Sequence, residues 1–175
     1  MNTQLRSALP TDELCLSALA TQVFFDTYAT SGINTDLANE AKQVYSQAAI
    51  SARLGNPNVE ISVAEADGNL VGFVDLQLHS YCPVPSVAGP EVMRLYVQAP
   101  FQRLGIGRAL LAHAEARASC LGEPSAWLTA WVGNTQALAF YPQVGYAEVG
   151  TTQYVIHRQA YENRVFAKAL RMGEK

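Results

Sequence analysis

The run Glu91-Val-Met-Arg-Leu-Tyr-Val-Gln-Ala-Pro-Phe-Gln102-Arg103-Leu104-Gly105-Ile106-Gly107-Arg108 carries most of the chemistry legible in this chain. A strand-like segment passes through a short loop into the start of a helix. Gly105 and Gly107 let backbone come close to a ligand, and the first N–H groups of a helix lack acceptors within it. Such N–H groups attract anions, and Arg103 and Arg108 add positive charge. Residues Gln102 to Arg108 therefore read as a cradle for a phosphate or pyrophosphate. Spacing alone leaves a second reading open, in which the glycines only ease a helix entry. A dinucleotide fingerprint needs a third glycine where Leu110 stands, and a Walker loop needs a Gly-Lys-Ser/Thr that is absent.

The scaffold around this segment has the means to hold it. The chain has 175 residues and a mass of 19.0 kDa, of which 49% are hydrophobic and 15% charged. That is one domain's worth of chain with ample core material, read as a single unit over about residues 3–171. Twelve Lys+Arg against fifteen Asp+Glu give a net charge of −3, which excludes the basic footprint of a nucleic-acid binder. The three cysteines, Cys15, Cys82 and Cys120, are widely spaced and form no Cys-x-x-Cys, so free thiols in a reducing cytoplasm are expected. The first residues lack the apolar core of a signal peptide. Pro124 to Ala147 carries no charge over 24 residues, yet Gly133, Asn134, Pro142 and Gly145 interrupt it. A buried strand and helix is expected there rather than a membrane span.

Periodicity orders the elements. A short strand at Thr3–Leu9 precedes a helix capped at Thr11-Asp12 and reaching about Thr30. One or two helices follow over Asn34–Leu54. Val59, Ile61 and Val63 alternate in a strand, Asp67-Gly68-Asn69 turns it, and Leu70–Leu78 returns. The Pro-rich stretch Ser80–Pro90 reads as a loop before a strand at Glu91–Gln98. Ile106, Leu110, Ala114, Ala118 and Leu121 form one stripe of a helix over Gly105–Leu121. A strand at Ala126–Val132, a short helix from Asn134 to about Tyr141, and strands at Tyr146–Ile156 and Arg164–Leu170 complete the chain. Pro142 is expected to end that last helix early. This is a mixed α/β domain with a mainly antiparallel sheet of about six or seven strands flanked by helices.

Two stretches together suggest a family. Gln102-Arg103-Leu-Gly105-Ile-Gly107 resembles the Q/R-x-x-G-x-G/A signature of the GNAT acetyltransferases. Trp131-Val-Gly-Asn134-Thr-Gln-Ala-Leu-Ala-Phe140-Tyr141-Pro-Gln-Val-Gly145-Tyr146 is similar to that superfamily's second signature. The element order agrees over nearly the whole chain, more loosely from Thr151 onward.

The resemblance implies an acetyl-CoA-dependent N-acetyltransferase that needs no metal. Pyrophosphate would sit on Gln102 through Arg108. Pantetheine would pair with Leu95, Tyr96 and Val97 like an added strand and would meet Asn134. Direct transfer needs a base for the amine, a polarised thioester carbonyl and a stabilised leaving thiolate. Glu91, eleven residues before Gln102, stands where several members place a catalytic glutamate. A glutamate near pKa ~4.3 needs a raised pKa or a water relay to take an ammonium proton. Tyr141 is the candidate acid for the thiolate, and a backbone N–H from Val97 could polarise the carbonyl.

The acceptor is expected to be a primary amine of a small molecule, polyamine-like, or of a peptide. Phe25, Asp26, Tyr28 and Tyr81 are the residues expected to meet it, because aromatics beside carboxylates suit a cationic amine. Ordinary packing of the first helix is the competing reading. His79, His113 and His157 show no metal-ligand spacing, and Cys82 has no partnered histidine. A non-catalytic acetyl-CoA sensor and a module for another nucleotide cofactor remain alternatives. Strand edges leave room for a homodimer without requiring one.

Overall fold

The computed structural model describes residues 3–170; the expected core limit at Arg171 lies just outside them. Seven strands and five helices follow the expected order among the described residues. They are β1 (Thr3–Ser7), α1 (Glu13–Tyr28), α2 (Thr35–Val44), α3 (Gln47–Leu54), β2 (Val59–Ala66), β3 (Asn69–Gln77) and β4 (Glu91–Val97). Then come α4 (Ile106–Cys120), β5 (Ser125–Trp131), α5 (Thr135–Gln143), β6 (Ala147–Ile156) and β7 (Gln159–Ala169). Hydrogen-bonded neighbours run β1-β2-β3-β4-β5-β7-β6, a mixed sheet. β1 pairs antiparallel with β2, and β5 and β6 each pair antiparallel with β7. β4 and β5 run parallel, meeting in register at Glu91 and Trp127.

Contacts divide the chain into two compact units, Met1–Asp75 with Arg94–Leu111, and Leu76–Met93 with Ala112–Lys175. In the first unit α1 buries Leu16, Leu19, Ala20, Val23 and Phe24. The sequence allowed one helix or two over 34–54; there are two, because Ser46 caps a second start by accepting the Ala49 N–H. Pro10 begins a short 3-10 turn that precedes α1. Asp12 accepts the Leu9 N–H at 2.7 Å and pairs with Arg6 at 2.6 Å, so it braces the approach to the helix instead of capping it. Gly72 on β3 answers a packing demand. A Cβ there would stand 2.8 Å from the Tyr96 carbonyl oxygen and 3.1 Å from Val97 Cγ2.

In the second unit β7 lies between β5 and β6. Several details depart from the sequence reading. Leu121 leaves the apolar stripe and is half exposed. The helix stops one residue earlier, where Gly122 turns left-handed and Glu123 N–H reaches back to the Ala118 carbonyl. β6 starts one residue later, at Ala147. Pro142 does not end α5 at Tyr141; the helix runs through Gln143, with Pro142 in its last turn. β7 begins five residues earlier than expected, after a tight turn in which His157 adopts φ +52°. Its alternation was disguised because Asn163 stands, buried, between Tyr161 and Val165 where an apolar residue would be expected.

Candidate active site

The loop ahead of α4 belongs to the first unit. Gln98, half-buried at the end of β4, donates its backbone N–H to the Val71 carbonyl, and a 3-10 turn follows at Ala99–Phe101. Gln102 Nε2 donates to the Val97 carbonyl at 3.0 Å, so this side chain ties the loop back to β4. Arg103 and Gly105 then adopt φ +62° and +82°. These two left-handed residues swing the chain into α4. The first loop-to-helix bond is Ala109 N–H to the Gly105 carbonyl. The N–H groups of Ile106, Gly107 and Arg108 precede it and have no acceptor within the helix. Nothing lies within 4 Å of the place where a Gly105 Cβ would stand. Arg103, Leu104, Gly105 and Arg108 are exposed, while Ile106 is buried and anchors the helix. Open backbone donors beside two exposed arginines fit a pyrophosphate.

β4 carries more than backbone. Val97 is buried, while Leu95 and Tyr96 are half-buried. Tyr96 Oη lies 3.0 Å from Tyr45 Oη. Loss of solvent, reinforced by Tyr45, raises the Tyr96 phenol well above its ordinary value. Arg94 and Arg53 both reach Asp75, which is 1% exposed on β3. Sequence reasoning missed this cluster, because an ion pair spanning 19 residues leaves no local pattern. On α1, Phe25 is half-buried, Asp26 exposed and Tyr28 half-buried; the rings of Phe25 and Tyr28 both pack against Phe24.

In the second unit Glu91 opens β4 and is half-buried. Ser80 Oγ donates to its Oε2 at 2.7 Å. Ser80 follows His79, whose φ of +47° bends the loop. The sequence places Ser80 and Glu91 in one group of candidate acceptor residues, but a serine in a Pro-rich loop gives no signal of the bond it makes. The loop is pressed onto β5, since a Cβ on Gly89 would collide with Ser125 backbone, and Trp127 Nε1 donates to the Gly89 carbonyl at 3.0 Å. Tyr81, at 98% exposure, packs on nothing.

Asn134 Oδ1 accepts the Ala137 N–H at 3.0 Å and caps α5. This bond fixes the orientation of the amide, whose NH2 is the donor able to serve a ligand carbonyl. Tyr141 is buried among Phe140, Tyr146 and Phe166, with ring centroids 5.4, 6.0 and 5.6 Å away. Loss of solvent pushes its phenol up to about 12. Among the described residues no cluster of three or more His, Cys, Asp or Glu could hold a metal, and no helix is long and apolar enough to cross a membrane.

The model of the acetyltransferase (GNAT) family matches residues 26–146. An uncharacterised N-acetyltransferase in the pepI 3' region of Lactobacillus delbrueckii subsp. lactis is 22% identical over 154 residues, spanning 87% of this chain and 89% of that protein. The PaiA N-acetyltransferase of Thermoplasma acidophilum, solved in complex with coenzyme A, superposes with a TM-score of 0.80 at 20% identity, covering 97% of this chain and 99% of that one. YncA of Salmonella typhimurium, solved with its cofactor acetyl-CoA, gives 0.69 at 19% identity, covering 100% and 96%. These two structures share the fold. The family match spans both signature stretches and most of the chain, and on that ground this protein belongs to the GNAT family of acetyltransferases.

Proposed function

We propose that the protein transfers an acetyl group from acetyl-CoA directly to a primary amine of a small, polyamine-like molecule or of a peptide. The observation that carries the reading is the loop Gln102–Arg108, whose left-handed turns leave the first N–H groups of α4 without helical acceptors beside two exposed arginines. Those N–H groups would hold the pyrophosphate, Leu95 to Val97 would pair with the pantetheine, and the Asn134 amide would donate to it. When bound, acetyl-CoA supplies an activated acetyl thioester. Glu91 takes the acceptor's proton at its carboxylate, directly or through water. A Val97 N–H polarises the carbonyl.

Tyr141 Oη donates a hydrogen bond to the leaving sulfur. With the phenol at about 12 and a thiol near ~8.5, complete proton transfer would be uphill by roughly 5 kcal/mol. Its role is therefore a hydrogen bond that strengthens as charge develops. Phe25, Asp26, Tyr28 and Tyr81 are assigned to the acceptor, on chemical type.

The test is thermal unfolding with acetyl-CoA, NAD and ATP, followed by turnover of Glu91→Gln and Tyr141→Phe. Acetyl-CoA at a hundred times its Kd adds about 2.7 kcal/mol of stability, which moves the midpoint by roughly 2–4 °C per kcal/mol. NAD and ATP are expected to give no shift. Each variant is expected to keep that shift and to lose about a hundredfold or more in kcat. An acetyl-CoA shift with no turnover on any amine favours a sensor; unchanged kcat in both variants removes the assigned roles.

A further inference from the structure

We infer that Ser80 is a positioning residue for the acyl transfer, aiming the Glu91 carboxylate for its proton; this rests on the reading of Glu91 as the base given above. Ser80 Oγ donates to Glu91 Oε2 at 2.7 Å, a bond between residues eleven apart in the chain. Both residues lie in the second unit, and both are half-buried. The acceptor is a carboxylate, so the bond is of the shorter, charge-assisted kind. A glutamate base needs such a partner. The backbone of β4 places its Cα but leaves the side-chain torsions to be set, and the last of them is broad, with no sharp minimum of its own. A bond to one oxygen restrains the carboxylate plane and with it the place of the other oxygen. The same bond favours the ionised form, which is the form that accepts a proton.

The fold also holds the loop that carries the serine. His79, just ahead of it, takes φ +47°, a left-handed turn that most side chains avoid. At its far end the loop is tied to β5. Trp127 Nε1 donates to the Gly89 carbonyl at 3.0 Å, the Trp127 N–H to the Pro90 carbonyl at 3.1 Å, and Ser125 Oγ to the Ala88 carbonyl. Midway, Val84 Cγ2 lies 2.7 Å from where a Gly150 Cβ would stand, so the loop is laid against β6. Glu91 is itself in register with Trp127. The loop that brings Ser80 and the strand that brings Glu91 are therefore both referred to β5, and the Ser80 bond closes the span between them. A group on a loop is placed less precisely than one on a strand unless neighbouring contacts lock it. Here the loop is locked by a strand at one end and by the glutamate at the other.

The test is a double-mutant cycle in steady-state kinetics on wild type, Ser80→Ala, Glu91→Gln and the double variant, with Ser80→Thr as the conservative change. Acetyl-CoA consumption is followed with spermidine and with trialanine as acceptors, and melting curves with and without acetyl-CoA check folding and cofactor binding. Ser80→Ala is expected to lose about tenfold in kcat with the acceptor KM little changed, because lost aim is felt as the proton moves. Ser80→Thr keeps the hydroxyl and is expected to recover most of that loss. In the Glu91→Gln background Ser80→Ala is expected to cost less than about twofold, since a residue acting through Glu91 has nothing left to act on. If Ser80→Ala fails to fold, Ser80→Cys, which keeps the size and weakens the donor, takes its place in the cycle. The inference is overturned, with the acyl-transfer reading left standing, if kcat is unchanged in Ser80→Ala, if the loss falls in KM alone, if Ser80→Thr is no better than Ser80→Ala, or if the same loss recurs in the Glu91→Gln background. Unchanged kcat in Glu91→Gln alone overturns the base assignment and this inference with it. No consumption with either amine, in a protein that acetyl-CoA stabilises, overturns the acyl-transfer reading itself.

Discussion

Gly105 shows how little space has to do with some glycines. Its φ is +82°, yet nothing would touch an added Cβ. The demand is conformational, and a left-handed non-glycine residue costs roughly 1–2 kcal/mol. Gly105→Ala is therefore expected to lower the melting midpoint by a few degrees and to weaken acetyl-CoA binding about tenfold, measured by calorimetry. An unchanged Kd would show that the loop's shape is not what binds the cofactor. Residue type and spacing made Gly105 and Gly107 visible in the sequence, and the family resemblance added Glu91 and Tyr141. They did not show the neighbours that set each one's state. Ser80 lies eleven residues from Glu91, and Asp75 nineteen from Arg94. Gln102 enters the cradle through its backbone, and spacing gave no sign that its side-chain amide would turn onto the Val97 carbonyl. A side chain's direction depends on tertiary partners, which one-dimensional spacing does not encode.

Elements were legible where the pattern was strong. The stripe of α4 was visible, and its last member was lost only because a left-handed Gly122 closes the helix first. The hairpin between β6 and β7 was shortened because His157-Arg158 lacks the usual Asn-Gly chemistry and Asn163 interrupts the apolar alternation. The close approach of β4 to β3 depends on Gly72, where a methyl group would press on the Tyr96 carbonyl at 2.8 Å and on Leu110 Cδ1 at 3.3 Å. The obstacle is backbone, which cannot swing aside. Gly72→Ala is expected to destabilise the protein by about 1–3 kcal/mol in urea unfolding. Because the displaced strand carries Leu95 to Val97, affinity for acetyl-CoA should fall as well. Lost stability with cofactor affinity intact would separate the packing of β4 from its assigned role.

At the scale of the molecule, Tyr96, Tyr141 and Tyr146 are held above their ordinary pKa, each chiefly by loss of solvent. An unfolded phenol titrates near ~10. Folded values above that make the stabilising contribution complete below pH ~10 and lose it as pH climbs through the folded values. Each such tyrosine should remove roughly 1.4 kcal/mol per pH unit inside that window. Urea unfolding from pH 9 upward, followed by absorbance at 295 nm, is expected to show that the phenols of Tyr96, Tyr141 and Tyr146 ionise only as the protein unfolds. Full ionisation before unfolding would show that these hydroxyls are open to water. The order of elements along the chain was legible, and so was the hairpin of β2 with β3, but the partners of the other strands were not, because pairing joins segments far apart in sequence. β7 illustrates this: it is the last strand among the described residues, yet it sits between β5 and β6. During synthesis β5 and then β6 emerge with nothing in the place β7 will fill, and each presents an unpaired edge that invites sticking to another chain. A chain halted before β7 is available would keep those edges open, so its yield in a cell should depend on how quickly β7 follows β5 and β6.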